Sequence, residues 1–395
     1  MCRSSVRWPS GVRRSAVAVT AVLAVAALLT ACGPNPGGPG PTDPGGGPTL
    51  MRVLAADPLV PTDAFSGAQR AMSADFERAA VLIPAPPGSW VTNVGVWDRS
   101  TGVTTQLTNL DEVTFAMLPP QISADGTKVF FQQVYSRIDP HDPDSLDVGV
   151  MRVDVATGTI DPVPLGNAPG IGEYSVSGDG DTVLAKVGWA AVASKTGVLT
   201  TLGTGTVTGT QYAVQRQSLS TNGRFAALPT STPIGGGLQQ VGLTVFDLQL
   251  GTVHATWTGP TRPWNPQIIA NPDEFVLRIG STGDDGSVVF TQGIGNPLQR
   301  LDGATGITAP TVVSEAFVDA GSANGRHVLF RGPASLDFAE QTLDLQTNAV
   351  DDAHLEAAPP GNWTSMGVSD DGEEILVYGT DANHVQGYYL WRRHP

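Results

Sequence analysis

The chain has 395 residues, of which 41% are hydrophobic and only 15% are charged, with 47 Gly and 31 Pro. Its formal net charge of −15 disfavours direct binding to nucleic acid, whose phosphates attract cations. So much Gly and Pro favours a turn-rich, all-β fold over helices. The two cysteines are too few for the disulfide framework of a small secreted domain.

Residues 1–31 have the layout of a secretory signal. Four arginines precede Ala16–Ala31, an apolar and small-residue stretch that is shorter than the roughly 20 residues a membrane span needs. The stretch ends in Leu29-Thr30-Ala31-Cys32, which resembles the lipobox of bacterial lipoproteins. This resemblance implies cleavage before Cys32 and lipid on its thiol, hence an anchor on the extracytoplasmic side of the cell membrane. The alternative is an ordinary signal that is cleaved nearby.

The segment after the lipobox is a predicted tether. Residues 33–48 contain seven Gly and six Pro, a composition that cannot form a packed core. We therefore interpret residues 32–49 as lipidated Cys32 and tether, and residues 50–395 as the folded domain. A disordered segment of no consequence predicts the same composition. Because Cys2 leaves with the signal and Cys32 carries lipid, the mature chain has no thiol for a disulfide, for zinc or for nucleophilic attack.

A short signature, Ser-x-Asp/Asn-Gly followed by an apolar run, recurs through the rest of the chain. Asp-Gly or Asn-Gly between β-favouring runs predicts a hairpin, because Gly and Asn accept positive φ. We count seven copies, including a weak one with Phe76 in place of Gly and one without Ser at Ala270-Asn271-Pro272-Asp273. The six copies that begin with Ser start at Ser73 (the weak copy), Ser123, Ser177, Ser220, Ser322 and Ser369.

A second signature, Asp-x-x-Thr-Gly or a variant of it, follows most copies and marks a strand that ends in a turn. One period therefore holds four short strands, the content of a propeller blade. The pattern resembles the TolB-like, WD-type β-propeller repeat over residues 50–395, with the Pro of its Ser-Pro-Asp-Gly hairpin replaced. The resemblance implies a seven-bladed β-propeller but no particular activity. Copies of the second signature begin at Asp98, Asp154, Asp247, Asp302 and Asp344.

The seventh predicted blade lacks a strand. It starts at Ser369, and no second signature follows Leu390-Trp391. The β-favouring segment Leu50–Ala55 precedes blade one and is spare. We predict that it supplies the outer strand of blade seven and closes the ring, because an open ring would leave unpaired strand edges.

No catalytic fingerprint occurs in the sequence. Gly-x-Ser-x-Gly, P-loop, Rossmann and His-Glu-x-x-His motifs are all missing. The polar positions on the predicted innermost strands are mainly amides and hydroxyls, with Asp319 nearly the only acid. They suit the lining of a water-filled channel better than a calcium site or a carboxylate pair. These positions are Gln69, Gln121, Tyr174, Gln217, Gln267, Asp319 and Ser365.

One acidic loop offers a possible metal site. Its four carboxylates could gather Ca²⁺, and no other cofactor is expected. The spacing lacks the glycine turn and the closing Glu of an EF-hand, and a solvated acidic loop is the alternative. The carboxylates belong to Asp139, Asp142, Asp144 and Asp147.

Aromatic residues stand three to eight positions before each signature, in the connections that lead to the innermost strands. These connections share one face of a propeller, so a ring of aromatics there could bind a peptide or a sugar. Packing between blades is the alternative for each of them. The candidates for a ligand or partner face are Trp264, Trp363, Tyr174, Tyr212 and Phe115.

Two classes of function follow. We expect a monomeric, lipid-anchored propeller without enzymatic activity that binds an envelope protein or a peptide or glycan ligand. The alternative is a propeller enzyme, such as a lactonase or a glycan-acting hydrolase or lyase, with its site at the central channel. A sensor or assembly component that uses the same face is a third possibility. An enzyme should gather two or more acids or His at the channel mouth, whereas a binding module should have an aromatic and polar rim.

Overall fold

A computed structural model describes residues 49–55, 71–83, 93–110, 114–116, 120–136, 146–165, 171–188, 190–204, 210–263, 277–292, 296–332, 340–353, 362–380 and 386–392. These residues form 28 β-strands in seven sheets, all within the compact unit Pro39–Pro395. The prediction of an all-β fold is confirmed.

Blades one and two have irregular inner strands. In blade one, the described part of the inner strand makes a single bridge, between Met72 and Ala79. In blade two, two short strands both pair with the same neighbour, so the inner strand is split. The strands of blade one are β2 (Arg78–Ile83), β3 (Asn93–Asp98) and β4 (Val103–Gln106). Those of blade two are β5 (Thr114–Ala116), β6 (Gln121–Ile122), β7 (Lys128–Ser136), β8 (Leu146–Asp154) and β9 (Ile160–Pro162).

Blades three to five are antiparallel sheets of four strands in chain order. Blade three consists of β10 (Ile171–Val176), β11 (Thr182–Val187), β12 (Ala190–Lys195) and β13 (Val198–Thr204). Blade four has the longest strands, β14 (Gln211–Tyr212), β15 (Phe225–Gly235), β16 (Leu238–Asp247) and β17 (Thr252–Pro263). Blade five consists of β18 (Arg278–Thr282), β19 (Val288–Thr291), β20 (Gln299–Leu301) and β21 (Thr308–Pro310).

Blades six and seven complete the set. Blade six consists of β22 (Phe317–Gly321), β23 (His327–Arg331), β24 (Glu340–Asp344) and β25 (Ala349–Asp352). Blade seven joins β26 (Asn362–Val368), β27 (Glu374–Thr380) and β28 (Gln386–Arg392) to β1 (Thr49–Ala55), which comes from the other end of the sequence.

Apolar side chains fill the junctions between neighbouring blades. Successive residues of a strand point to opposite faces of its sheet. In β7, Val129 and Phe131 therefore pack with blade one, while Phe130 packs with blade three. Among the described residues, seven such clusters join each blade to the next, including blade seven to blade one. The molecule is a seven-bladed β-propeller, as the repeat predicts.

The ring closes through pairing between the two ends of the domain. Strand β1 runs antiparallel to β28, with register from Thr49 opposite Arg392 to Ala55 opposite Gly387. Trp391 of β28 is fully buried, and its indole N–H donates to the Ala353 carbonyl of blade six at 2.7 Å. The prediction that Leu50–Ala55 completes blade seven is confirmed.

The first signature holds its own hairpin turn. In blade three, the Ser177 hydroxyl donates to Asp179 at 2.5 Å and accepts the N–H of Thr182 at 3.0 Å. The same Asp179 oxygen accepts the N–H of Asp181, and Gly180 takes a φ of +67°. The same serine-to-Asp or serine-to-Asn bond recurs in the other Ser copies. The polar residues of this signature therefore have a structural role.

The predicted position of the fifth copy was wrong. The hairpin of blade five joins β18 to β19, where the Gly286 N–H donates to the Gly283 carbonyl at 3.0 Å. Gly283 stands where the other copies have Ser, which hid this copy from a search for the signature. Ala270–Asp273, the predicted copy, lies outside the described residues. In blade one, Phe76 takes the glycine position at a φ of +56° and packs its buried ring into the cluster between blades seven and one.

Candidate functional site

Three innermost strands contain a β-bulge at an equivalent position. In β22 the pairing register shifts between Val318 and Ala320, and corresponding shifts occur in β18 and β26, whereas the shift in β10 lies further upstream. A bulge takes the extra residue out of the regular alternation of side chains. In β22 this residue is Asp319, an acid that sequence analysis places on an innermost strand.

An ion pair joins Asp319 to the neighbouring strand β23. The Arg331 guanidinium donates to both carboxylate oxygens of Asp319 at 2.9 Å, and only 9% of the Asp319 side chain is exposed. The guanidinium carbons of Arg331 and Arg278 lie 4.3 and 4.5 Å from the centre of the Phe317 ring. Phe317 and Arg278 begin their strands and Arg331 ends its strand. All three therefore lie on the face opposite the hairpin turns, here named the connection face.

A second carboxyl group lies beside this ion pair. Glu340 begins β24, opposite Arg331 in the strand register, and accepts a hydrogen bond from Ser365 of blade seven at 3.4 Å. Burial raises the pKa of Asp319 to about 6, against the opposing charges of Arg331 and Arg278. Burial and then the Asp319 charge raise the pKa of Glu340 to about 7. Both carboxyl groups therefore titrate close to neutral pH.

These groups form a connection-face cluster that contains both cations and titratable acids. Guanidinium groups are suited to a planar anion such as a carboxylate, which accepts two parallel hydrogen bonds. A carboxyl group with a pKa near 7 can also exchange a proton at neutral pH. The cluster consists of Arg278, Phe317, Asp319, Arg331, Glu340 and Ser365.

Where the structure describes their side chains, the aromatic residues of the predicted ligand or partner face pack into the junctions between blades. Tyr174 is 3% exposed and its hydroxyl donates to the Phe130 carbonyl, so it belongs to the core between blades two and three and cannot contact a partner. Tyr212 is half-buried and packs into the cluster between blades three and four. Trp363 is half-buried against Tyr389, with ring centres 5.0 Å apart. The side chains of Trp264 and Phe115 lie outside the described residues.

The predicted channel-lining residues include groups that bind one blade to the next. Gln121 is 1% exposed, donates to the Tyr174 carbonyl at 2.9 Å and accepts the N–H of Val176 at 3.2 Å. Gln215 makes the same pair of contacts from blade four to blade five, with Leu277 and Ile279. These amides satisfy backbone groups of the next innermost strand. The expectation that Gln121 and Tyr174 line a water-filled channel was wrong.

Other polar side chains of the innermost strands also contact neighbouring blades. Ser365 is 4% exposed and donates to Glu340 of blade six. Gln217 is half-buried, and its carbonyl accepts the Thr282 hydroxyl of blade five at 2.6 Å. Gln69 and Gln267 lie outside the described residues.

The proposed metal loop and lipidation site lie outside the parts described in side-chain detail. These are Asp139, Asp142 and Asp144, the side chain of Asp147, and Cys32. Within the described ranges, no group of three or more His, Cys, Asp or Glu side chains is arranged to hold a metal ion. Nor does any helix in those ranges have the length and apolar character needed to cross a membrane.

Three charged members of the connection-face cluster are not marked by any sequence motif. Asp319 is marked by its place before a signature, but Arg278, Arg331 and Glu340 are not. Arg331 and Glu340 belong to the second and third strands of blade six, and they meet Asp319 because Arg331 pairs with both Phe317 and Glu340. One sequence feature could have marked Arg331. In β23 this charged residue directly follows an apolar run.

A cleft of about 810 Å³ lies between blades seven and one on the hairpin side. Glu374, with 10% of its side chain exposed, accepts hydrogen bonds from Arg99 at 3.1 and 3.2 Å. It also accepts bonds from Arg392 at 2.6 and 3.2 Å. Arg99 belongs to the turn after β3, so this carboxylate links blade one to blade seven. The cleft is part of the seam at which the ring closes.

The fold is similar to that of several solved structures. The β-propeller domain of the Trilobed protease from Pyrococcus furiosus is 11% identical, with a TM-score of 0.49, over 80% of this chain and 92% of that one. Dipeptidyl peptidase 4 from Porphyromonas gingivalis is 13% identical, with a TM-score of 0.50, over 85% of this chain and 56% of that one. TolB from Acinetobacter baumannii is 14% identical, with a TM-score of 0.38, over 81% and 64%.

These similarities concern the fold alone. The chain spans less than two thirds of the length of TolB and of the dipeptidyl peptidase. No protein-family model and no curated protein matches the sequence. The class that the structure defines is the seven-bladed β-propeller, a fold that hosts many unrelated functions.

Proposed function

We propose that the protein is a lipid-anchored, extracytoplasmic β-propeller that binds a protein or another ligand without catalysing a reaction. The observation that carries this proposal is the connection-face cluster. Its guanidinium groups are fixed over Phe317 and remain half-exposed, while the inner amides Gln121 and Gln215 are engaged between blades. A rigid ring that holds polar groups at one face is suited to recognition.

A photocrosslinking experiment tests which face makes contact. A photoreactive amino acid replaces exposed Glu315, which precedes β22 on the connection face, or exposed Thr127 in a hairpin turn. We expect irradiation of cells to give a discrete crosslinked product from position 315 and none from position 127. A product from position 127 alone would contradict the assignment of the binding face.

The lipid anchor gives a separate expected result. The lipobox places lipid on Cys32, and one acyl chain alone binds membranes only marginally, so a stable anchor needs more than one. We expect labelled fatty acid to be incorporated into the wild-type protein and into Cys2→Ser, but not into Cys32→Ser. Cys2→Ser is the matched control, because it removes the only other thiol of the chain. Equal labelling of all three proteins would refute the anchor.

A second candidate function is catalysis at the same cluster, on a lactone or a glycan. The observation in its favour is that Asp319 and Glu340 have pKa values raised to about 6 and about 7. General acid–base catalysis is most efficient when the pKa lies near the working pH. Hydrolysis of a lactone or an oligosaccharide by the wild type, lost in Glu340→Gln, would favour this candidate over binding.

A further inference from the structure

Arg278 is a cation that is held in place but not neutralised by direct contact. In the part of the chain that the structure describes, its guanidinium has no hydrogen-bond or ion-pair partner, and the side chain is half-buried at the start of β18. A cation–π contact with the Phe317 ring at 4.5 Å restrains its position. Its five N–H donors thus lie at the connection face.

Among the described residues, the groups around Arg278 leave its donors open to a ligand. Arg331 covers the same ring at 4.3 Å, but it is occupied by two hydrogen bonds to Asp319. Asp319 interacts electrostatically with Arg278 without a hydrogen bond to it. Glu340, the other acid of the cluster, interacts with Asp319 and Arg331. Of the two arginines in the cluster, Arg278 is therefore the one whose N–H donors are not engaged by a described residue.

We propose that Arg278 binds a carboxylate of an acidic peptide segment. This assignment rests on the binding function proposed above and names the class of ligand for the same face. A carboxylate accepts two parallel hydrogen bonds from one guanidinium group, and this geometry adds orientation to the charge attraction. Asp319 already pairs with Arg331 in this way within the same cluster. The guanidinium of Arg278 offers the same kind of donors to a carboxylate from a ligand.

A peptide fits this cluster better than a glycan does. Sugar rings are bound by stacking on an open aromatic face, and the guanidinium groups of Arg278 and Arg331 lie over the Phe317 ring. The ring is thus engaged with cations and serves to position them. What the cluster offers a partner is hydrogen-bond donors and charge, which match a Glu or Asp side chain.

The net negative charge of the whole protein determines how an acidic peptide could bind. At −15, the chain repels anions in general, so an acidic peptide gains nothing from long-range attraction. Binding of such a peptide must then depend on a local cationic site. Because salt screens the overall repulsion more than a close contact, we expect moderate salt to leave the affinity unchanged or to increase it.

Binding to matched peptides tests this inference with the mature lipidated protein in detergent micelles. The probes are immobilised acetylated hexapeptides that carry a single Glu, compared with the same peptides carrying Gln. We expect the wild type to retain Glu peptides over Gln peptides, and Arg278→Gln to reduce this retention roughly tenfold or more, as for loss of a charge-assisted hydrogen bond. Arg300→Gln is the control, because it removes the same charge from β20 of the same blade.

The possible outcomes separate this inference from the binding function itself. Equal retention of Glu and Gln peptides would overturn it, as would wild-type binding by an Arg278→Gln protein with an unchanged melting temperature. Retention of an oligogalacturonate in place of the peptides would overturn the choice of a peptide. If position 315 still yields a crosslinked partner in any of these cases, only the carboxylate assignment fails. If neither position 315 nor position 127 yields a crosslinked partner, the proposed function fails as well.

Discussion

Deletion of residues 49–55 is expected to lower the free energy of unfolding by about 3–9 kcal/mol. These residues form β1, whose six paired positions with β28 close the ring. A backbone hydrogen bond contributes a net of roughly 0.5–1.5 kcal/mol, so loss of the whole strand has a large effect. The free edge of β28 would also be open to pairing with another chain. Urea denaturation of the mature protein measures the first effect, and light scattering measures the second.

Deletion of seven residues from the tether, 35–41, is the matched control. It shortens the chain by the same length in a segment rich in Gly and Pro, and we expect no change in the urea midpoint. If the two deletions give the same midpoint, β1 does not stabilise the ring. Strand β1 lies at the outer edge of blade seven, so its deletion leaves the other 27 described strands in place. Circular dichroism of the deletion variant then measures how much of this β-structure still folds.

Two further contacts between blades seven and one act beside this strand. Glu374 accepts hydrogen bonds from Arg99 of blade one and from Arg392 of blade seven. An apolar cluster that includes Phe76 and Met366 fills the same junction. The pairing of β1 with β28 completes the sheet of blade seven. The Glu374 carboxylate and the apolar cluster join blade seven to blade one. Ring closure therefore combines pairing, packing and charge at one seam.

The fold could be predicted because each blade contains its own local turn. A hairpin with Asp-Gly or Asn-Gly depends on a positive φ and on a Ser-to-Asp bond over two residues, and both are encoded within six positions. The prediction was wrong where these local groups were substituted, as at Gly283 in blade five. The copy in blade one could still be found although Phe76 replaces its Gly, because its Ser and Asp remain.

The candidate site could not be predicted to the same extent, because it depends on pairing between strands. Asp319 was identified from its place before a signature. Its bond to Arg331 needs the bulge in β22, and the approach of Glu340 needs the register between β23 and β24. A register is fixed by packing and by loop lengths over the whole blade. For the same reason, Tyr174 was assigned to a surface although it lies in the core.

Glu340→Gln is expected to change how stability depends on pH. Burial and the nearby Asp319 raise the pKa of Glu340 from 4.5 to about 7 in the folded protein. The folded state thus holds this proton at pH values where the unfolded chain has released it. The contribution of Glu340 to stability is complete below pH 4.5 and is lost as pH rises through about 7, a difference of about 3 kcal/mol. Asp319 adds a change of the same sign between pH 3.8 and about 6.

Glutamine keeps the shape of Glu340 and can still accept the bond from Ser365, but it has no proton to release. We therefore expect the variant to match the wild type near pH 4.5 and to be about 3 kcal/mol more stable at pH 8. Urea denaturation at several pH values measures this difference. Glu315→Gln, at an exposed position on the same face, should follow the wild-type profile throughout. A Glu340→Gln profile that runs parallel to the wild type would mean that Glu340 ionises freely, and the cluster would then carry two full negative charges at neutral pH.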